Sequence, residues 1–296
     1  MVLSILIPVY NYNVFPLVKR LVAQINELSE PIEIRVYEDG STNYLEENKK
    51  VEKFPEVIYK RLEINHGRTA LRSKMAEDAR SRWLLFLDSD VLPKNNDFLK
   101  KYKNAVTPYT DVIFGGIVYD STPPERDRML RWVYGNKREA KPVDERMKTP
   151  YVIISQNLLI RKELFLEVND IHDHLYGLDN YFSYRLKALK VHVHHIDNPV
   201  IHKGLEPSEQ FVKKALQAVE TTVILENKNL LEDNVRPLQK TYKRIKKFGL
   251  CSGFIAFVSL FKKRMERNFR SNRPNLFWFD LYRLRYYMLL KKKGHA

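Results

Sequence analysis

Leu3 to Val9 is an apolar run that stops at Tyr10-Asn11-Tyr12-Asn13, and the same unit of apolar run, polar loop and helix recurs along the first third of the chain. A run of this kind reads as a strand buried on both faces, which a parallel sheet covered by helices provides. Val14, Leu17, Val18, Leu21, Val22 and Ile25 recur at helical spacing, and Ile32 to Tyr37 resumes a strand closed by Glu38-Asp39-Gly40-Ser41. A polar helix near Tyr44 to Lys53, a strand at Val57 to Leu62, a helix over Arg68 to Ala79 and a strand at Trp83 to Leu87 follow. The alternation predicts an α/β fold with a doubly wound, mostly parallel sheet. Ligands of such sheets sit beyond the carboxyl ends of the strands, where Asn11, Asp39 and Asp88 to Asp90 fall.

Further strands are expected at Val112 to Tyr119, Tyr151 to Ile160 and Val191 to Ile196, with helices over Leu178 to Leu189 and over Ser208 to Asn227, the last with Ser208 as its N-cap. The stretch Ser121 to Pro150 is long for a connection and rich in Arg, Lys and Pro, as functional loops often are.

The net charge of +15 is not spread over these elements. Arg236 to Ala296 holds 17 Lys/Arg against Glu266 and Asp280, which leaves 34 basic and 34 acidic residues in the first 235. A basic C-terminal segment with its own task is implied. The expected division is therefore 1–230, with a nucleotide-binding half 1–95 and an acceptor-side half 96–230, followed by a basic helical tail over 231–296. One cysteine, Cys251, excludes an internal disulfide framework, and Met1 leads directly into a strand, so a reducing cytoplasm is expected. No stretch reaches the roughly 20 apolar residues of a spanning helix; the nearest is Leu250 to Phe261.

Asp88-Ser89-Asp90 offers two carboxylates on a turn after an apolar strand. Oxygen ligands of that kind suit Mg²⁺ or Mn²⁺ bridging a diphosphate, although a lone D-x-D is more often a solvated acidic turn. Its company shifts the balance. The blocks SILIPVYN at 4–11, EDGSTN at 38–43, NHGRTALRS at 65–73 and FLDSD at 86–90 resemble family 2 glycosyltransferases in order and spacing. The resemblance implies the GT-A fold, a nucleotide-sugar donor, a Mn²⁺ or Mg²⁺ ion and inverting transfer. It matches Pro8, Tyr10 and Asp39 to contacts with the nucleotide base, with Glu38 standing where an Asp is usual. Arg68 and Arg72 match basic groups near the diphosphate, Asp88 and Ser89 the donor loop, and Asp90 the metal ligand.

A carboxylate at Asp39 can accept a hydrogen bond from the imide N–H that uracil has and cytosine lacks, which favours a UDP-sugar; capping of the following turn is the structural alternative. Arg68 and Arg72 could equally be solvated helix residues. Tyr134-Gly135, Arg138-Glu139, Tyr151 and Ser155-Gln156-Asn157 resemble a subgroup in which this region shapes the acceptor pocket, and the last could equally be a structural turn.

In Tyr176-Gly177-Leu178-Asp179-Asn180 the resemblance implies the catalytic base, but the position of the family's Asp is Asn180, and an amide accepts no proton at neutral pH. Asp179 as base, another carboxylate such as Asp173, and an impaired enzyme all stay open. His202, ending Ile196 to His202, resembles the residue that completes the metal site, and an imidazole ligand tips the choice toward Mn²⁺. A structural hydrogen bond is its alternative reading. His192, His194 and His195 alternate along a strand without spaced cysteine partners, which argues against zinc.

The tail interleaves Lys/Arg clusters with Phe254, Phe257, Phe261, Phe277, Trp278, Phe279, Tyr282, Tyr286 and Tyr287. That pattern suits an anionic membrane surface and a lipid-linked acceptor, with packing on the domain as the competing reading and no nucleic-acid motif beside the charge. Without a Q-x-x-R-W motif, transfer of a single sugar in surface polysaccharide synthesis is expected, at the inner face of the cell membrane. A nucleotide-sugar-binding scaffold without transfer is the second expectation. A nicotinamide-dependent dehydrogenase is disfavoured because no G-x-G-x-x-G follows the first strand.

Overall fold

The structure, a computed structural model, describes residues 2–28, 30–171, 173 and 175–293; residues 1 and 294–296, the outer ends of the two expected segments, lie outside the described residues. In chain order the elements are β1 (Leu3–Val9), α1 (Phe15–Ile25), β2 (Ile32–Asp39), α2 (Leu45–Lys49), β3 (Val57–Leu62), α3 (Arg68–Asp78), β4 (Trp83–Leu87), β5 (Val91–Pro93), α4 (Phe98–Ala105), β6 (Val112–Phe114) and β7 (Ile117–Tyr119). They continue with α5 (Met129–Tyr134), α6 (Val143–Met147), β8 (Asn157–Arg161), α7 (Lys162–Val168), α8 (Asp179–Ala188), β9 (Val193–His195), β10 (Val200–His202), α9 (Ser208–Asn227), α10 (Pro237–Lys247), α11 (Cys251–Leu260), α12 (Lys262–Phe269) and α13 (Leu276–Lys293). The chain divides into two compact units, one of Met1–Asp120, Arg138–His174 and Arg185–Gly204, the other of Ser121–Lys137, Leu175–Tyr184 and Leu205–Ala296.

The first unit is built on a seven-stranded sheet in the order β3-β2-β1-β4-β8-β6-β9, with a small sheet β5-β10-β7. β1 runs parallel to β2 and to β4, with Leu3 opposite both Ile32 and Trp83. Leu3, Ile5, Leu6 and Ile7 are fully buried, as the unbroken apolar run requires. Because β1, β2 and β4 are parallel neighbours, the polar loops at their carboxyl ends emerge on one edge of the sheet.

Three expectations are corrected in this unit. Val112 to Tyr119 is two strands, not one. Gly116 takes φ +93°, and a Cβ on Gly115 would lie 2.5 Å from Asn157 Nδ2, from Asn198 O and from Tyr102 Oη. This close approach lets β6 stay in the large sheet while β7 joins the small one, and apolar residues on both sides hide the break from the sequence. Tyr151 to Ile160 shrinks to β8, which pairs antiparallel with both β4 and β6. Of the run Val191 to Ile196, only β9 is strand; its buried His195 ring meets Pro150 O through Nε2 at 2.9 Å and Arg146 Nη1 through Nδ1 at 3.3 Å. That ring is a structural hydrogen-bonding group.

The second unit is helical. Leu130, Phe211, Val258, Met265, Phe269, Leu276, Phe279 and Tyr282 form its core, with the Phe211 and Phe279 rings stacked at 5.5 Å and Phe269 edge-on to Phe279 at 5.6 Å. The aromatic residues that look interleaved with charge in sequence thus part ways, some building this core while Phe257 and Phe277 stay exposed. Ser208 is the first helical residue of α9, after Pro207 at the N-cap, so its expected cap is corrected; its Oγ accepts the Leu130 N–H at 3.3 Å. Arg236 is half-buried before α10, donating to Ala218 O at 3.1 Å, and desolvation first, with Arg283 nearby, brings its guanidinium down to about 10. Among the described residues no helix is long and apolar enough to cross a membrane.

Candidate functional site

Loops of the first unit form the candidate site, and hydrogen bonds between them set its shape. Asn11, at φ +51°, follows β1; its Oδ1 accepts the backbone N–H groups of Thr42 at 2.7 Å and Asn43 at 2.9 Å, while its own N–H donates to Ser41 Oγ at 3.0 Å. The loops after β1 and β2 are thereby tied together. Asp39, 3% exposed at the end of β2, accepts the His66 N–H at 2.8 Å on Oδ1 and the Gly67 N–H at 3.0 Å on Oδ2. It caps the loop that leads into α3, and Asn65 Nδ2 donates to its backbone carbonyl at 3.0 Å. A carboxylate has about four lone-pair sites, so capacity remains for a donor from a ligand. Tyr10 stands 57% exposed on the rim, above the half-buried Pro8.

Glu38 is fully buried and accepts from Asn48 Nδ2 at 2.7 Å, and Asn48 in turn accepts the Val14 N–H at 2.9 Å. The residue that replaces the usual Asp therefore holds the entry to α1 from inside.

α3 carries both expected arginines. Arg68 Nη2 donates to Asp88 Oδ2 at 2.9 Å and is 40% exposed at the side chain; Arg72 is buried, donating to Asp88 Oδ1 and Ser155 Oγ at 2.6 Å each and to Ser155 O at 2.9 Å. Burial would push the Asp88 carboxyl up, but Arg68, Arg72 and His202 nearby and the hydrogen bond to Gln156 outweigh it and hold the group below the usual carboxylate range. Asp88 is thus an ion-paired anchor. Ser155 and Asn157, from the segment resembling an acceptor pocket, serve the interior: Ser155 holds Arg72, and buried Asn157 donates to Gly116 O at 2.8 Å and Asn198 O at 2.9 Å.

Asp90 differs from its neighbour. His202, at the end of β10 and 4% exposed, brings Nε2 to 3.2 Å from Asp90 Oδ2, while Asp90 Oδ1 and His202 Nδ1 are buried without a hydrogen-bond partner. A buried polar atom left unmade costs about 1–3 kcal/mol; an ion could satisfy Asp90 Oδ1 while taking His202 Nε2, the nitrogen that faces Asp90, whereas Nδ1 lies on the other side of the ring. The Lys203 N–H donates to Asp90 O at 2.8 Å, and the chain then passes so close that a Cβ on Gly204 would lie 2.0 Å from Asp90 Oδ2. Carboxylate oxygen plus imidazole nitrogen is a donor pair that fits Mn²⁺ or Mg²⁺. Among the described residues no three His, Cys, Asp or Glu side chains gather around one point, so a cation here would share its coordination with a ligand's oxygens. Ser89 is half-buried on the turn between the two aspartates.

The sequence profile of glycosyl transferase family 2 matches residues 4–168, more than half of the chain. The chain belongs to this family. Solved structures agree on the GT-A fold. This family 2 glycosyltransferase is similar to the mannosyltransferase PcManGT of Pyrobaculum calidifontis, solved with GDP-Man and Mn²⁺, at 14% identity and TM-score 0.53, over 76% of this chain and 64% of that one. It is similar to TarS 1–349 of S. aureus in complex with UDP-GlcNAc, at 18% identity and TM-score 0.53, over 99% and 92% of the two chains. It is also similar to glucosyl-3-phosphoglycerate synthase of Mycobacterium tuberculosis, solved with Mn²⁺, UDP and glucosyl-3-phosphoglycerate, at 12% identity and TM-score 0.51, over 78% and 81%. No curated protein sequence matches the chain.

Asp179 and Asn180 of this glycosyltransferase open α8, in the second unit. Gly177 takes φ +91°, and a Cβ there would lie 2.6 Å from Ala218 Cβ. The Asn180 side-chain amide turns back to donate to Gly177 O at 3.0 Å. A carboxylate at 180 has no proton to give that carbonyl, so the departure from the family's Asp has a local physical reason. Sequence reading named Asn11, Glu38 and Ser155 without the hydrogen bonds that give them their roles, and missed Gly204, two residues after the expected His202.

Proposed function

We propose that this glycosyltransferase moves a single sugar, with inversion, from a nucleoside-diphosphate donor, UDP-linked first, to a saccharide or lipid-linked acceptor in surface polysaccharide synthesis. The reading rests on one observation, the touching Asp90–His202 pair with an unpartnered buried atom on each side chain. The pair would hold Mn²⁺ or Mg²⁺, which when bound would neutralise charge developing on the leaving diphosphate. The nucleotide complexes of three proteins with this fold are in keeping with that donor class.

The chain's own residues then take the following roles. Tyr10 and Pro8 cover the base and Asp39 accepts its imide N–H. Arg68, more exposed than Arg72, turns toward the diphosphate, while Arg72 keeps Asp88 and Ser89 in place. Asp179 takes the acceptor's hydroxyl proton. The basic tail holds the enzyme on an anionic membrane at the inner face of the cell, near a lipid-linked acceptor, and nucleic acid is not a partner.

A second reading, a nucleotide-sugar-binding scaffold that transfers nothing, is favoured by the Asn180 amide spent on Gly177 O. Donor turnover with Mn²⁺ separates the two. The parent releases UDP from a sugar donor, and Asp90→Ala lowers that rate by about 10²–10³-fold; a parent that binds donor and never turns it over establishes the scaffold, and an unchanged rate in Asp90→Ala with chelator present removes the metal role.

A further inference from the structure

A cavity of about 600 Å³ opens on the tail, lined by Asp233, Tyr242, Lys243, Lys246, Lys247, Tyr287 and Lys291. Its floor is built. Glu226, 9% exposed on α9, accepts from Tyr287 Oη at 2.6 Å and from Lys291 Nζ at 3.0 Å, both on α13, and from Gln239 Nε2 on α10. The two helices that line the cavity, α10 and α13, are thus both tied to α9 through one carboxylate.

The charges in it do not balance. Lys291 is matched by Glu226 and Lys243 by Asp233 at 2.6 Å, whereas Lys246 and Lys247 make no ion pair among the described residues. Two lysines without an ion pair beside the Tyr242 hydroxyl suit a phosphate, which brings negative charge and several acceptor oxygens; the Tyr287 hydroxyl is already spent on Glu226. The rim adds an independent observation. Directly after Lys247 the chain turns through Phe248, 72% exposed, Gly249 at φ +69° and Leu250, 59% exposed. Phe257 at 59% and Leu260 at 80% continue the apolar surface on α11, ahead of Lys262 and Lys263. A free anion has no use for an apolar rim, but a phosphate fixed to acyl chains does: its headgroup meets the lysines while the turn enters the hydrocarbon boundary.

We propose that this pocket is a headgroup site that holds the phosphate of an anionic membrane lipid, with the Phe248–Leu250 turn inserted beside it. The proposal rests on the membrane part of the proposed function and replaces a diffuse basic tail with one site.

The test uses the full chain and vesicles of about three parts phosphatidylcholine to one part phosphatidylglycerol, with pure phosphatidylcholine as the neutral arm and sedimentation as the readout. The parent binds the anionic vesicles and not the neutral ones. K246E/K247E loses about thirtyfold or more in partition, while K263E/R267E, an equal change of charge on exposed positions of α12, loses only a few-fold. Glycerol phosphate raises the melting temperature of the parent and of F248S/L250S but not of K246E/K247E, and F248S/L250S loses vesicle binding, which separates a lipid source from a free phosphate. Equal losses in the two charge-reversed variants overturn the pocket and leave a diffuse basic surface on a membrane-bound enzyme. A parent that ignores anionic vesicles, or prefers a single-stranded oligonucleotide to them, overturns the pocket and the membrane reading together.

Discussion

The donor loops and the basic tail manage charge in opposite ways. In the loops nearly every ionised group has a partner fixed by the fold: Asp39 by two backbone N–H groups, Asp88 by two arginines, and Glu38 by Asn48. Buried atoms without a partner remain on Glu38 (Oε2), Asp90 (Oδ1) and His202 (Nδ1), and the last two belong to groups in direct contact, which is what makes them informative. In the tail, among the described residues, lysines and arginines without an ion pair outnumber those with one, because solvent serves them at little cost. A single unpaired cation there says nothing, and only their gathering beside a cavity and an apolar turn does. The same feature, an unmatched polar group, has to be weighed against the burial around it.

The comparison can be broken most forcefully at chemistry. Asp179→Asn keeps the shape of the side chain and removes its basicity, so kcat for transfer falls by about 10²–10⁴-fold with the melting temperature unchanged; a near-normal rate moves the role to another carboxylate, Asp173 first. Next comes the packing around the pair. Gly204→Ala pushes a methyl group into Asp90 Oδ2, and either the carboxylate or the chain gives way, at about 1–3 kcal/mol of stability. The account predicts a rise in the Mn²⁺ concentration needed for half-maximal turnover that exceeds the change in KM for the acceptor.

The contrast in charge is sharpened by two smaller effects. Glu33, on β2, accepts from Ser4 Oγ and the Arg80 N–H and pairs with Arg35 at 3.0 Å. Burial opposes its charge, but these partners outweigh that and hold its carboxyl below the usual range. Its stabilisation is then complete above the unfolded carboxyl's pKa and disappears as pH falls through the lower folded value. Glu33→Gln should cost about 1–2 kcal/mol near neutral pH in denaturant unfolding, and the difference from the parent should shrink as pH falls below about 4. In the tail, Lys243→Ala removes the exposed pair with Asp233 and should change stability by less than about 1 kcal/mol. If the exposed tail substitution costs as much as the half-buried one, the weight given to burial is wrong.

The parallel strands were legible because each is an apolar run closed by a polar loop, and β1, β2, β3 and β4 lie where periodicity puts them. The break at Gly115-Gly116 was read through, because apolar residues resume at Ile117; what requires glycine there is the approach of Asn157, Asn198 and Tyr102 from elsewhere in the chain. The antiparallel direction of β8 has no local signature either. Asp39 stood out in sequence as a ligand-facing acid, but its backbone partners lie 27 and 28 residues away, and no spacing rule connects them. Asn180 was visible as a departure, while its reason, a carbonyl three residues back, appears only once the Gly177 turn is in place.

The central claim is that Asp90 and His202 hold a divalent cation together with the donor's diphosphate. Mn²⁺ binding followed by electron paramagnetic resonance, with UDP present, tests it most directly. The account predicts that the parent takes up one Mn²⁺ per chain with UDP and that Asp90→Ala and His202→Ala each weaken this by about tenfold or more, their folds intact by circular dichroism. Mn²⁺ uptake in both variants equal to that of the parent would contradict it.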